Sequence, residues 1–314
     1  MKTLGDTDLS IFPLCLGGNV FGYTADQAES HLVLDCFAEL GGNFIDTADS
    51  YASWVPGNSG GESESIIGDW HSKRGNRDAL VIATKVSQLP GREGLAPANV
   101  KAAAEDSLKR LQTDHIDLYY AHFDDENTPL EETLAAFDEL VEEGKVRHVA
   151  VSNYSPERIR EGLEIQDREG YARWMALQPE YNLVERDEFE NGGKREIAER
   201  ENLAVVPYYS LAMGFLTGKY RSKDDPGDSP RAGGALEYLD DRGLRVLEAL
   251  DEVAAAHEVP VAAISIAWLN AQPTIAAALA SARTIDQLEP LMTGAELELT
   301  SDELARLDAV SRPA

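Results

Sequence analysis

Cysteine is scarce in this 314-residue sequence: Cys15 and Cys36 both lie in apolar segments, which excludes a disulfide framework and reads as two buried thiols in a reducing compartment. Long apolar runs are missing too, and none approaches the roughly 20 residues that a membrane helix needs. The opening MKTLGDTDLS lacks a basic region followed by an apolar stretch, so the expectation is a soluble, cytoplasmic protein with no membrane partner. Basic side chains are few, 28 against 56 acidic ones, and the resulting formal charge of -28 repels nucleic acid and anionic surfaces. Such acidity suits either a high-salt cytoplasm or simple solubility; we read it as the second, and the dependence of the unfolding midpoint on KCl separates the two. His31, His71, His115, His122, His148 and His257 have no ligand-like spacing, so no metal site is expected. No G-x-G-x-x-G follows the first strand-like run, which argues against a Rossmann dehydrogenase.

What is present is an alternation. Apolar, β-branched runs occur at 13–18, 42–48, 79–86, 116–123, 146–153, 174–182, 203–211 and 274–281. Between them lie stretches with apolar residues at three- and four-residue spacing, such as PANVKAAAEDSLKRL and PLEETLAAFDELVEEG, several stopped by glycine at Gly41, Gly75 and Gly144. Strands apolar on both faces and separated by helices pair in parallel through crossovers. Eight such units in a chain of this length predict a closed (β/α)8 TIM barrel of the α/β class, one domain over residues 1–314. The seventh and eighth strands are far apart, leaving room for a long loop at 221–234 and extra helices near 239–257 and 261–270. A capping pattern, TSDE at Thr300 to Glu303, opens a last helix.

Barrel chemistry sits at the C-terminal ends of the strands. Those ends carry Asp46 and, just beyond, Tyr51 in NFIDTADSY; then Lys85, His122, Ser152, Asn153, Gln178 and Tyr208. Each alone has a plain explanation, in that a lysine snorkels, a histidine is satisfied in the core and a tyrosine packs. Their convergence on one rim is harder to dismiss. A tyrosine hydroxyl is a weak acid near pH 7; an adjacent ammonium favours its ionised form, a carboxylate keeps that ammonium charged, and a histidine can donate to a carbonyl oxygen. Asp49 finds no place in that set and is assigned to the turn leading into a loop at 53–63. Trp54 in that loop either covers a substrate or packs. Asp124, Asp125 and Glu126 would put negative charge at the mouth if they face it, favouring sugar-like or neutral carbonyl compounds.

NFIDTADSY, IATKV, DLYYAHF, VRHVAVSNYS, QPEYNLVER, PYYSLAMGFLTGKY and SARTIDQLEP together resemble the aldo-keto reductases, in particular the bacterial branch related to general-stress reductases and potassium-channel β subunits. The resemblance runs from near the N-terminus to the last strand. It implies NADPH-dependent reduction of aldehydes or ketones, with NADH less favoured, and a small-molecule carbonyl substrate. It implies Tyr51 as general acid, Asp46 and Lys85 tuning it, and His122 positioning the carbonyl. It further implies that Gly18, Asn19, Ser152, Asn153 and Gln178 hold the nicotinamide end, with Tyr208 stacked on the ring and Asp46 also among the cofactor-binding residues. By the same resemblance Tyr209, Ser210, Leu211, Ala212, Met213 and Lys219 form the pyrophosphate loop, Arg231 clasps from the lid, and Ser281, Arg283 and Gln287 meet the adenosine 2'-phosphate. Ser281, Pro290 and Leu291 depart from the family pattern there. Two rival readings are a cofactor-occupied redox sensor or scaffold with little turnover, and a lyase using Lys85 as a Schiff base, which the charge on Asp46 disfavours.

Overall fold

The structure, a computed structural model, describes residues 1–222 and 231–313; most of the long loop foreseen at 221–234 thus lies outside the described residues. Two short strands, β1 (Lys2–Thr3) and β2 (Ser10–Ile11), form an antiparallel hairpin. Eight parallel strands follow: β3 (Leu14–Gly17), β4 (Phe44–Asp46), β5 (Val81–Val86), β6 (Ile116–Ala121), β7 (Val146–Ser152), β8 (Trp174–Gln178), β9 (Ala204–Val205) and β10 (Ala278–Ala280). From β3 to β9 each pairs with the next in sequence, and β10 pairs with β3. The remaining gap is closed by backbone bonds, Val205 N to Thr274 O and Ala276 N to Val205 O at 2.9 Å and Leu279 N to Pro207 O at 3.1 Å. The chain thus builds the closed (β/α)8 barrel that its sequence pattern predicts.

The strands alternate between two cores, as period-two side chains must. Cys15, Phe44, Val81, Ala83, Leu118, Tyr120, Ala150, Ala176 and Ala204 cluster inside the barrel with Leu4, Leu9 and Ile11, so the hairpin plugs the N-terminal end. Leu14, Leu16, Ile45, Ile82, Tyr119, Val149, Val151 and Leu177 point the other way, against the helices. Those helices are α1 (Gln27–Glu39), α2 (Glu62–Arg74), α3 (Pro97–Leu111), α4 (Leu130–Glu142), α5 (Pro156–Glu169), α6 (Asp187–Glu190), α7 (Lys194–Glu201), α8 (Ala232–Glu237), α9 (Asp241–His257), α10 (Val261–Asn270), α11 (Ile285–Glu296) and α12 (Ser301–Ser311). Asp26 and Thr300 cap α1 and α12 with reciprocal boxes, and Gly75 ends α2 in the left-handed region.

Several boundaries differ from the sequence pattern. The run 203–211 supplies only two residues of strand, because Pro207 has no N–H for the ladder and the chain turns at Tyr209. The loop expected at 53–63 ends earlier, at Gly61, which lets α2 begin at Glu62. Cys15 is buried as expected, but Cys36 is only half-buried, on the outer part of α1. The hairpin, α6 and α8 were not legible as elements. No single helix among the described residues is long and apolar enough to cross a membrane.

Candidate functional site

Strand parity decides which side chains enter the barrel mouth. Asp46 is in phase with Phe44, Lys85 with Ala83, His122 with Tyr120, Ser152 with Ala150 and Gln178 with Ala176, all of them inward positions. In register, Lys85 faces Tyr120 and Ser152 faces Gln178, so neighbouring strands end at matching heights.

Lys85 is fully buried and is the hub. Its Nζ donates to the Asp46 carboxylate, to Tyr51 Oη at 2.8 Å and to the Thr47 carbonyl at 2.9 Å. The second Asp46 oxygen accepts from Gln178 Nε2 at 3.0 Å. Burial works to lower the Lys85 pKa, but Asp46 and then Tyr51 outweigh it, so the net direction is upward and the ammonium persists. The balance on Tyr51 is the reverse of the simple expectation: burial dominates the opposing Lys85 charge and pushes the hydroxyl up to about 12. Tyr51 therefore keeps its proton at neutral pH. His122 lies with its ring 6.1 Å from that of Tyr51; burial first, and the Lys85 charge second, drive its pKa well below the ordinary value, so the imidazole is neutral. Its Nδ1 is buried with no hydrogen-bond partner among the described residues.

A second group forms a chain of hydrogen bonds beside the first. Tyr208 Oη donates to Asn153 Oδ1 at 3.0 Å, Asn153 Nδ2 donates to Ser152 Oγ at 3.0 Å and to the His122 carbonyl at 2.9 Å, and Ser152 Oγ donates to the Gln178 carbonyl at 2.8 Å. Across the mouth, Ser281 Oγ donates to Asn19 Oδ1 at 2.6 Å. These groups line a cleft of about 750 Å³, which runs past Tyr51 and His122 and then along Ser210, Leu211, Met213, Lys219 and Arg231 to Arg283, Gln287, Pro290 and Leu291.

Not every expected residue reaches it. Gly18 is buried behind the wall, where a Cβ would meet Ser63 Oγ at 2.6 Å and the Asp46 carbonyl at 3.1 Å, so glycine is needed there for packing. Ala212 is buried as well, and Asp46 and Lys85 lie beneath Tyr51. Gln287 accepts from the Arg283 backbone N–H at 3.0 Å while the Thr284 side chain caps α11, so two donors near that helix end are already engaged. Asp124 pairs with Arg158 at 2.9 Å, and Asp125 accepts from Leu95 N and Thr128 Oγ1 at 2.8 Å, so both are spent on structure. The sequence reading missed Tyr23, Phe123 and Asp286, which also line the cleft; Phe123, adjacent to His122, was the one with a signal.

Backbone strain is concentrated at this rim. Ala52, Ser87, Asn153, Tyr209, Ala212 and Met213 all have φ between 46° and 126°, although none is glycine. The arrangement as a whole holds a protonated tyrosine and a neutral histidine over one end of an elongated cleft, whose other end carries Lys219, Arg231 and Arg283. A small acceptor fits the first end, and an extended anion fits the second. No group of three or more potential metal ligands occurs among the described residues.

The model of the "Aldo/keto reductase family" matches residues 13–312. The chain is 31% identical to "Protein tas" of Escherichia coli, over 97% of this chain and 95% of that protein. It is 32% identical to "Norsolorinic acid reductase stcV" of Emericella nidulans, over 96% of this chain and 78% of the relative. It is 29% identical to a "Probable voltage-gated potassium channel subunit beta" of Arabidopsis thaliana, over 94% and 91%.

Proposed function

Because the chain belongs to the aldo/keto reductase family, whose members use nicotinamide cofactors, we propose that it reduces an aldehyde or ketone to the alcohol with NADPH, reversibly, using Tyr51 as the proton donor. The observation that carries this is the fully buried Lys85, whose Nζ bonds both the Asp46 carboxylate and Tyr51 Oη at the cleft floor.

A bound nicotinamide cofactor supplies the hydride that reaches the carbonyl carbon. Tyr51 delivers the proton: as negative charge grows on the carbonyl oxygen, the phenolic proton moves to it, since an alkoxide is a far stronger base than a phenolate. Lys85 stabilises the phenolate left behind and is itself held charged by Asp46. Neutral His122 can direct an N–H at the same oxygen and fix its approach to Tyr51. Ser152, Asn153 and Gln178 supply amide and hydroxyl groups for a carboxamide, and Tyr208 a flat face for the ring. Asn19 lines the same nicotinamide end, and the strained turn Tyr209–Met213, with Ser210, Leu211 and Lys219, suits the pyrophosphate. Arg231, Ser281, Arg283 and Gln287 suit a 2'-phosphate, where a guanidinium offers a planar fork to an anion.

The test is oxidation of NADPH and of NADH against a panel of small aldehydes and diketones, with dissociation constants for both cofactors. The reading expects turnover with NADPH and tighter binding of NADPH than NADH, with Arg283→Ala narrowing that gap by roughly 10-fold, the worth of about one strong ion pair. Tight cofactor binding with no turnover on any carbonyl would replace this reading with that of a redox sensor or scaffold.

A further inference from the structure

Of the large apolar side chains that are more than a third exposed among the described residues, four surround one cleft: Tyr23, Trp54, Phe123 and Tyr209, exposed by 39%, 52%, 41% and 37%. The others are scattered over the helices and the N-terminus. Exposed aromatics gathered at one concavity mark a contact surface rather than ordinary surface composition.

Each of the four comes from a different loop at the barrel mouth, and each is held in place. Asn58 Nδ2 donates to both the Gly22 and the Ala52 carbonyls at 3.1 Å, which ties the Tyr23 loop to the Trp54 loop. The rings of Tyr23 and Trp54 meet edge to face at 5.8 Å, and Trp54 in turn lies edge-on to Tyr51 at 6.2 Å. Phe123 N donates to Ser87 Oγ at 3.1 Å. Tyr209 sits at φ 52°, with its carbonyl accepting from Asn182 Nδ2 at 3.0 Å. Aromatic rings have few torsions to freeze, so a collar pre-set in this way costs little entropy when a flat ligand enters.

Charge is distributed unevenly around the cleft. Its charged lining residues, Lys219, Arg231, Arg283 and Asp286, all come from segments after β9 and β10. Asp124 and Asp125, in the loop that carries Phe123, are engaged by Arg158 and by Leu95 and Thr128. The side chains of Asn58, Asn182 and Ser87 beside the collar are committed to the ties above. Among the described collar residues a carboxylated compound would find no cation, and a sugar would find only single polar groups set on apolar rings, the hydroxyls of Tyr23 and Tyr209 and the indole N–H of Trp54.

We infer that the substrate end of the cleft takes a flat, uncharged aromatic carbonyl compound, seated in the collar of Tyr23, Trp54, Phe123 and Tyr209 with its carbonyl over Tyr51. This deepens the proposed carbonyl reduction and rests on it for turnover, but the collar can be tested without turnover.

With the full chain and NADPH, kcat/KM is measured for 2-naphthaldehyde, cyclohexanecarbaldehyde, 4-carboxybenzaldehyde and an aldose. Naphthaldehyde is expected to exceed each of the others by on the order of 10-fold or more, a few aromatic contacts' worth. Trp54→Ala is expected to lower the naphthaldehyde-to-cyclohexanecarbaldehyde ratio by roughly 3-fold, about one aromatic contact's worth. Preference for the aldose or the carboxylated aldehyde, or an unchanged ratio in Trp54→Ala, would overturn the inference. If nothing is reduced, the enzymatic reading fails, and tryptophan quenching by 2-naphthalenemethanol decides the collar separately: saturable quenching lost in Trp54→Ala supports it, and absence of saturable quenching overturns it.

Discussion

A carboxyl group in a protein interior with no well-placed hydrogen-bond donor holds on to its proton, and Asp49 is such a group. Its side chain is almost wholly buried, neither oxygen has a partner in ordinary hydrogen-bond geometry among the described residues, and the adjacent Ser50 N–H exerts only a minor pull, while the Asp49 backbone N–H donates to the Lys85 carbonyl at 3.1 Å. Around it stand Glu64 from α2, which accepts from Thr84 Oγ1 at 2.5 Å and Arg110 Nε at 2.6 Å, with Arg110 from α3, Arg92 from the loop after β5 and Tyr119 from β6. Burial first, and the Glu64 charge second, raise its pKa from 3.8 to about 7, with Arg110 opposing. The unfolded chain gives up this proton near pH 4 and the folded one near pH 7, so between those values the folded state binds more protons and stability falls as pH rises. A difference of that size is worth on the order of 4 kcal/mol. Asp49→Asn should therefore match wild type in thermal midpoint near pH 4 and exceed it by several degrees at pH 8; an equal difference at both pH values would refute the account. In the sequence Asp49 looked like an ordinary turn residue, because nothing in DTADSY reveals that the turn is covered by α2 and α3. Asp46, Lys85 and His122 were legible for the opposite reason: each ends an apolar run, and parity alone then points it inward.

At the scale of elements, the helices that frame the site are positioned by close backbone approach as much as by apolar side chains. Gly68 on α2 leaves no room for a Cβ, which would lie 2.2 Å from the Arg110 carbonyl and 2.8 Å from Leu111 Cα on α3. Gly68→Ala should force the two helices apart, strain the Arg110–Glu64 pair and cost about 1–3 kcal/mol, typical of overpacking. The denaturant midpoint with unchanged slope is the check, and a midpoint equal to wild type would mean that α2 is free to shift. Long elements were readable from the sequence, since apolar runs and three-to-four spacing persist over many residues. Short ones were not: the two-residue strands of the hairpin, the four-residue α6 and the six-residue α8 are set by tertiary contacts rather than by local pattern. Of the collar only Trp54 was marked in the sequence as a candidate substrate contact, because the rest depends on loop conformations that only the folded chain defines, such as the positive φ at Tyr209 and the Asn58 ties.

At the scale of the molecule, closure of the barrel turns distant sequence segments into one site. Gln178 from β8 reaches the carboxylate of Asp46 from β4, and Ser281 after β10 reaches Asn19 after β3. The acidic chain, at a formal charge of -28, keeps the cations Lys219, Arg231 and Arg283 together along one end of the cleft, where an anionic cofactor is attracted against the general field. The cationic end and the proton-holding centre are what the carbonyl-reducing reading requires, and the aromatic mouth adds a substrate preference to it. Its central claim is that Tyr51 supplies the proton. Single-turnover reduction of a carbonyl substrate by the NADPH-loaded protein, compared between wild type and Tyr51→Phe, tests it most directly, with NADPH affinity measured on the same samples. The account predicts unchanged NADPH affinity and a rate lower by at least about 100-fold; a Tyr51→Phe protein that reduces the substrate at the wild-type rate would contradict it.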